Sequence, residues 1–568
     1  MIQGDQLASP GRPRKANFSL AAGVFLAVLG IYVLANPGRI DIIDGQARYD
    51  VAMNWLQMGR PILWDPAIAN WGGVRGRGGL TYSYFGPLGS LAAVPLVWVG
   101  TLYDDPPGEA TRFLFAQTTS VFGALAAAIL FLFYIKLGVE VKKAVAWTGV
   151  AAFATLLWSA SETTNDNAQH ACLVLAAVFL GFLSSERRSP YMAMLGGLVA
   201  GLLFTYQEYF ALIIPLLGLS TLDEVEWGGK DHTGGAGVFL RPFWLLLKLD
   251  APAALREFKS PTGLSPEDTR AFHRACWRYG LFLLASLVGV ALALDFNYLR
   301  FGSLFATGKL GSGGHRHLAL FGNPLAGALT LAVSPGKSIL LYCPPIILGF
   351  AGIRQLWRHK PQMGITIVAS SIVLALFLST FKFAGGAWCW GPRYLVPLVP
   401  LWALAFPFAP IRGKHWKNLA LGIVAAGFIV QLLGVSVEDQ RYFFERGIAD
   451  HYWANDSWFE FKHSQLLARP GEVLSLIKDP PREAVLFNTD GMPPTYTSLR
   501  PPHAGPPSLA PGWVRYYRVF YVPKPWAIWM WDIPPDQRAL NLPACVAGIM
   551  GVALLGLALI QRGLQHEF

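Results

Sequence analysis

Charge is scarce in this chain. Of its 568 residues only 14% are Asp, Glu, Lys or Arg, while 53% are hydrophobic. Soluble domains carry about 25% charged residues, because their surfaces must face water. A soluble globular protein of this size is therefore excluded. Cysteine is sparse too. Cys172, Cys276, Cys343, Cys389 and Cys545 are scattered, four of them in or beside apolar segments, with no CxxC or zinc spacing. That removes a zinc site and leaves them as small core hydrophobes. Segments of alternating polarity are missing, which excludes an outer-membrane barrel. The net charge of +11 is spread over short loops between apolar runs rather than gathered on one soluble face. It sets topology and indicates no nucleic-acid partner.

What the chain does have is a series of apolar runs of roughly 17–22 residues, the length that crosses a ~30 Å hydrocarbon layer. The fold class expected is an all-α polytopic membrane protein with about 12 transmembrane helices. The spans fall near 18–36, 112–135, 144–160, 168–185, 191–206, 208–222, 278–296, 338–357, 363–381, 394–410, 417–437 and 542–561. The first run follows Arg12, Arg14 and Lys15, is too long for a signal-peptide core, and reads as a helix with its N-terminal side inside. Basic residues at 136–143, 187–188, 223–277, 354–360 and 412–417 then all fall inside. This parity requires that the apolar run at 84–103, interrupted by Gly86, Pro87, Gly89 and Pro95, does not cross. It is expected to lie on or dip into the outer face. The inner loops include an amphipathic stretch, Phe239–Leu249, expected to lie at the interface.

Three long polar stretches, 37–83, 297–337 and 438–541, then share the outer side with the short loops 160–168 and 382–393. Asp41, Asp44 and Asp50 lie just past the first span. Asp44 and Arg48 are four apart, so in a helix they would pair. The same residues suit a helix cap with interfacial anchors. Glu162 and Asp166 form a second acidic site expected on the same face, as a base with its orienting partner, as metal ligands, or as a solvated turn capping the next helix. Glu208 is a third acid at the outer boundary, where a carboxylate is costly to place. Cations come from other loops: His315, Arg316, His317, Lys309, Lys382 and Arg393. Ser334-Pro335-Gly336-Lys337-Ser338 lacks the Walker spacing, but its Lys337 stands at an outer helix start, where a lipid phosphate could bind. Outer cations oppose the usual bias and point to an anionic ligand or to lipid headgroups.

Several blocks in order carry a resemblance to GT-C superfamily glycosyltransferases, in the bacterial group related to protein O-mannosyltransferases and aminoarabinose transferases. They are Asp44-Gly45 with Tyr49; Gly78-Gly79-Leu80-Thr81-Tyr82-Ser83-Tyr84-Phe85-Gly86-Pro87-Leu88-Gly89; Arg300-Phe301-Gly302-Ser303 with Thr307-Gly308; Ser334 to Lys337; and Gly385-Gly386 through Trp390-Gly391-Pro392-Arg393-Tyr394-Leu395. The resemblance implies a catalytic aspartate in the first outer loop, mapped to Asp44, and a second outer acid, mapped to Asp166. It also implies a polyprenyl-phosphate-sugar donor, usually inversion at the anomeric carbon, and a non-spanning helix in the first loop. The chain departs from its relatives at Gly45, where a second acid often stands, and at Tyr84-Phe85, where aminoarabinose transferases carry Glu-Lys.

The expected organisation is a transmembrane catalytic module over 1–437, with outer-face juxtamembrane helices, followed by an outer cap over 438–541 of small mixed α/β character. A final helix and tail follow over 542–568. Within the cap, Val514–Val522 reads as a strand, and Trp526, Trp529 and Trp531 as an interfacial belt or sugar-stacking platform. The expected activity is transfer of sugar to a hydroxyl of a glycan, lipid or protein acceptor at the outer face of the cell inner membrane. Asp44 and Asp166 are the catalytic candidates. Asp41, Arg48, Tyr82, Tyr84, Glu208, His315, Arg316, His317, Lys337, Lys382 and Arg393 are the substrate-binding candidates. A divalent cation is possible. The alternatives are a lipid-linked sugar flippase, or an oligosaccharide ligase or polymerase with a diphosphate-linked donor.

Overall fold

Helix starts and stops in this chain follow proline and small polar residues more closely than they follow hydropathy. The computed structural model describes residues 14–38, 40–63, 73–103, 109–222, 252, 266–309, 321–386, 388–437, 439, 442, 455–478 and 535–565. In order, the elements are α1 (Arg14–Ala35), α2 (Ile43–Met58), β1 (Gly73–Arg75), β2 (Thr81–Ser83), α3 (Leu88–Thr101), α4 (Glu109–Lys136), α5 (Val141–Phe153), α6 (Leu156–Ala160), α7 (Asn167–Glu186), α8 (Pro190–Phe204) and α9 (Ile214–Gly218). After the next gap come α10 (Pro266–Phe301), α11 (Pro324–Val333), α12 (Ile339–Tyr342), α13 (Ile346–His359), α14 (Pro361–Ser379), α15 (Val399–Ala403), α16 (Gly413–Ser436), α17 (Gln465–Lys478) and α18 (Pro535–Gln565).

Among the described residues, 7 helices are long and apolar enough to cross a membrane, within α1, α4, α7, α10, α14, α16 and α18. The chain is a multi-pass membrane protein. The other five expected spans take shorter or interrupted forms. The run at 144–160 breaks into α5 and α6 at Thr155, whose side chain caps α6 by accepting from Leu157 N–H. The run at 208–222 is a chain of short turns and α9 around Pro215. Pro344 and Pro345 separate α12 from α13. Pro392, Pro397, Pro400 and Pro407 divide 393–408 into α15 and two 3-10 turns. The run at 191–206 is the 15-residue α8.

The helix expected not to span is α3, 14 residues long with Pro95 inside. At 1.5 Å per residue it is about 21 Å long, too short for the hydrocarbon layer. Ahead of it stands a small hairpin that the sequence reading did not anticipate. Val74 pairs with Tyr82 and Arg75 with Thr81, antiparallel. Gly78 and Gly79, at φ 67° and 69°, make the turn.

One apolar core runs through α1, α4, α7, α8, α12–α16 and the turns between them, with Phe131, Phe182, Tyr342 and Trp402 among its largest buried side chains. Helices touch closely where glycine allows it. A Cβ at Gly197 would lie 2.0 Å from Phe282 O, so α8 and α10 meet backbone to backbone. Leu284, Leu287 and Leu292 on α10, and Leu554, Leu555 and Leu557 on α18, are exposed. Such apolar faces suit lipid contact. Residues 223–251, 310–320 and 479–534 lie outside the described residues. The expected interfacial helix at Phe239–Leu249, the strand Val514–Val522, Trp526, Trp529 and Trp531, and most of the expected cap fall there.

Candidate active site

The ends of α1 and the start of α7 come together, bringing the two acidic stretches into contact. Asn36, just past α1, donates through Nδ2 to Glu162 O at 3.2 Å and to Ala116 O on α4 at 3.2 Å. Asp41 accepts from Thr164 N–H at 2.8 Å and from the Thr164 hydroxyl at 2.5 Å. Asp41 therefore clamps the loop after α1 to the 162–166 turn. The first turn of α2 rests on the same threonine. A Cβ on Gly45 would lie 2.1 Å from Thr164 Oγ1, so a side chain at this position has no room here.

Asp44 and Arg48 both lie on α2, as expected, but they take other partners. Arg48 Nη2 donates to Asp166 Oδ2 at 2.7 Å, and both side chains are buried. The guanidinium also lies 4.4 Å from the Phe85 ring centre. Burial raises the Asp166 carboxyl, but Arg48, His170 and Arg393 together outweigh it and hold the group below its ordinary value. A buried carboxylate draws its arginine more strongly than the partly open Asp44 can, which is why the four-residue spacing does not decide the pairing. Asp166 occupies the N-cap position of α7, yet its side chain makes no cap hydrogen bond.

Asp44 faces Arg393 instead. Arg393 Nη1 stands 3.8 Å from Asp44 Oδ2 and donates to Asn165 Oδ1 at 2.8 Å. Tyr84 borders the same carboxylate. Burial, and then the Asp44 charge, push its hydroxyl up, so it stays protonated. The result is a partly exposed carboxylate opposed by a guanidinium, beside a buried arginine–aspartate pair. Such a corner can take a proton from a hydroxyl and hold an oxyanion within a few ångströms.

The other candidates are dispersed. Lys337 was expected among the phosphate ligands. Its ammonium is buried, donates to the carbonyls of Cys389 and Gly391, and lies over Trp458. Tyr82 is buried in the hairpin against Phe301. Glu208 pairs with Lys309 at 2.5 Å and lines an open cleft with Gly86, Asn297, Arg300, Phe305 and Thr307. Lys382 is partly buried, its ammonium 5.8 Å from the Phe383 ring centre. His315, Arg316 and His317 lie outside the described residues.

Reading residue types missed Asn165, His170 and Arg300 as site builders. His170 Nε2 is 3.6 Å from Asp166 Oδ2, and the His170 spacing four residues after Asp166 was a visible signal. Arg300 donates to the carbonyls of Ser83 and Phe85 and so fixes the block that carries Tyr84. Its signal was an arginine in the last turn of a long apolar helix.

Among the described residues the donor set does not fit a divalent cation. Mg²⁺ or Ca²⁺ needs about six or more oxygen ligands, usually with carboxylates among them. No group of three or more His, Cys, Asp or Glu gathers among the described residues. Asp166 is taken by Arg48, Asp44 faces Arg393, and Asp41 is engaged by Thr164.

No family model matches the chain, and no curated protein matches it. Solved structures similar to it include the following three. The archaeal oligosaccharyltransferase AglB from Archaeoglobus fulgidus, in complex with an inhibitory peptide and a dolichol-phosphate, aligns at TM-score 0.42 and 16% identity over 79% of this chain. This chain spans 59% of that protein's chain. ArnT from Cupriavidus metallidurans bound to undecaprenyl phosphate aligns at TM-score 0.42 and 14% identity, over 89% of this chain and 86% of that one. The apo form of ArnT gives TM-score 0.41 and 14% identity, over 80% and 76%.

Proposed function

We propose that this chain is a membrane glycosyltransferase that moves a sugar from a polyprenyl-phosphate carrier to an acceptor hydroxyl, with inversion at the anomeric carbon. The site would face the outer side of the cytoplasmic membrane, within a catalytic module over 1–437, beneath a cap contributed by 438–541. The single observation that carries this reading is the Asp44–Arg393 pair. A partly open carboxylate and a guanidinium face each other beside the ends of membrane helices, where a donor's tail stays in lipid while its sugar reaches water. The sequence blocks that resemble GT-C glycosyltransferases include both residues.

In the proposed step the acceptor oxygen attacks the anomeric carbon. The bond from that carbon to the phosphate oxygen breaks, and its electron pair leaves with the phosphate. The acceptor proton passes to Asp44. Arg393 offers charged donors to the departing phosphate. Asp166 holds Arg48, and Arg48 supports Phe85 and the neighbouring Tyr84. A phosphate monoester leaves readily, so no strong general acid is required.

The test is sugar transfer by the full chain in proteoliposomes, with polyprenyl-phosphate-linked and diphosphate-linked donors compared. Asp44→Asn is expected to lower kcat by about 10²–10⁴, the usual worth of a general base, with unchanged thermal unfolding. Full activity in that variant overturns the assignment. Preference for the diphosphate donor moves the reading to an oligosaccharide ligase. Movement of lipid-linked sugar across the bilayer without transfer moves it to a flippase.

A further inference from the structure

The Ser334-Pro335-Gly336-Lys337 block has a role in the structure that its sequence does not suggest. Lys337 Nζ donates to Cys389 O and, at 3.2 Å, to Gly391 O, with Cys389 Sγ 3.3 Å away. Those carbonyls end the turn that leads into Arg393. Two adjacent glycines let both cationic stems pass this turn. A Cβ on Gly385 would lie 2.6 Å from Lys337 Cγ, and one on Gly386 would lie 2.3 Å from Arg393 Cγ. The two cations therefore flank one stretch of backbone, with Arg393 facing Asp44 and Lys337 bonded inward.

The lid over Lys337 comes from much later in the sequence. Gly336 N–H donates to Trp458 O at 3.1 Å, and the Trp458 ring centre lies 4.7 Å from the ammonium. Asn455 accepts from Ala384 N–H at 3.1 Å and donates to Phe381 O at 2.9 Å. Trp390 N–H donates to Asp439 at 2.9 Å, and Asp439 is held in turn by Arg469 at 3.1 Å and Gln465 at 3.0 Å. A phosphate could reach Lys337 only by displacing the indole and two carbonyls. Burial also pushes the ammonium's pKa down, against the opposing pull of Cys389 and Asp439.

We infer that Lys337 is a positioning residue for Arg393, acting as an internal strut of the 385–391 turn, and that residues 455–469 complete the strut from above. Its kinetic consequence rests on the function proposed above, but its structural consequence does not.

Two measurements on the full chain in nanodiscs test this. The first is a double-mutant cycle in sugar transfer. Lys337→Met and Trp458→Ala are each expected to lower kcat/KM for the donor about tenfold or more. In an Arg393→Ala background Lys337→Met is expected to change the residual rate by less than about twofold, because it acts through Arg393. If Lys337 touched the phosphate, the two losses would multiply, and that result overturns the strut.

The second measurement is maleimide labelling of Cys389, read by peptide mapping. Cys389 is buried in the wild type. Lys337→Met and Trp458→Ala are expected to label it at least about ten times faster, while Lys337→Arg, which can still donate to both carbonyls, stays close to wild type. Unchanged protection in both Lys337→Met and Trp458→Ala overturns the proposal. A wild type that transfers no sugar refutes only the proposed function, since the labelling still decides the strut.

Discussion

Two arginine–aspartate pairs share one corner of this molecule. Arg48 and Asp166 meet at 2.7 Å, with side chains 5% and 10% exposed. Arg393 and Asp44 stand 3.8 Å apart, with side chains 15% and 20% exposed. The tight pair joins α2 to the start of α7 and is enclosed by Phe85 and His170. The loose pair leaves Asp44 reachable by a substrate hydroxyl. A buried pair is costly to break because the survivor is a stranded charge. A looser, more open pair contributes little to stability, so its members can serve chemistry instead.

Four experiments sharpen or break that contrast, beyond the loss expected from Asp44→Asn. The largest effect is expected from Arg48→Met. It leaves Asp166 buried without its cation and should cost about 3–5 kcal/mol of stability, read as a lower unfolding temperature in detergent. A melt equal to wild type would show that the two pairs do not differ. Next, Arg393→Lys should lower the melt less than Arg48→Met does but lower kcat/KM about tenfold, because an ammonium cannot reproduce the guanidinium fork. A destabilised variant with normal kinetics would reverse the roles of the pairs.

Acid sharpens the contrast further. The Asp166 carboxyl sits below its ordinary 3.8 in the folded chain, so its contribution to stability is present above that value. It is lost as pH falls through the lowered folded pKa. In Arg48→Met the largest attraction that holds this carboxyl down is gone, and acid unfolding should begin at higher pH than in wild type. An unchanged acid midpoint would remove the ion pair from the account. The smallest effect is expected from chelation. Excess EDTA should leave the transfer rate of the wild type unchanged within error, since arginines face the carboxylates a cation would need. Loss of activity restored by Mn²⁺ or Mg²⁺ would contradict that arrangement.

Much of this corner could be read from the chain. The carboxylates after the first apolar run, and those before the 168–185 run, were expected on one face from loop charge alone, and Asp41 of the first stretch does reach Thr164 of the second. Proline and glycine in 84–103 foretold a short helix. The partners were harder to read. Four-residue spacing suggested that Arg48 serves Asp44, but burial of Asp166 is a tertiary fact that spacing does not carry. Lys337 sits in a Pro-Gly-Lys-Ser string whose letters are the same whether the lysine meets a phosphate or two carbonyls of its own chain. Interrupted helices such as α5 with α6 have the hydropathy of continuous ones, so a running average merges them.

The first and last membrane helices carry a message about counting. Gly23 lies against Gly556, Gly30 against Ala553 and Gly563 against Leu20, so as α1 advances α18 retreats. Such head-to-tail neighbours leave the bilayer through opposite ends. The backbone departing from α1 and the backbone arriving at α18 are therefore on the same side of the lipid. An even number of passages must separate them. Among the described residues five long apolar helices lie between them, so if each passes once, the tally comes out even only if the remaining segments add an odd number of passages.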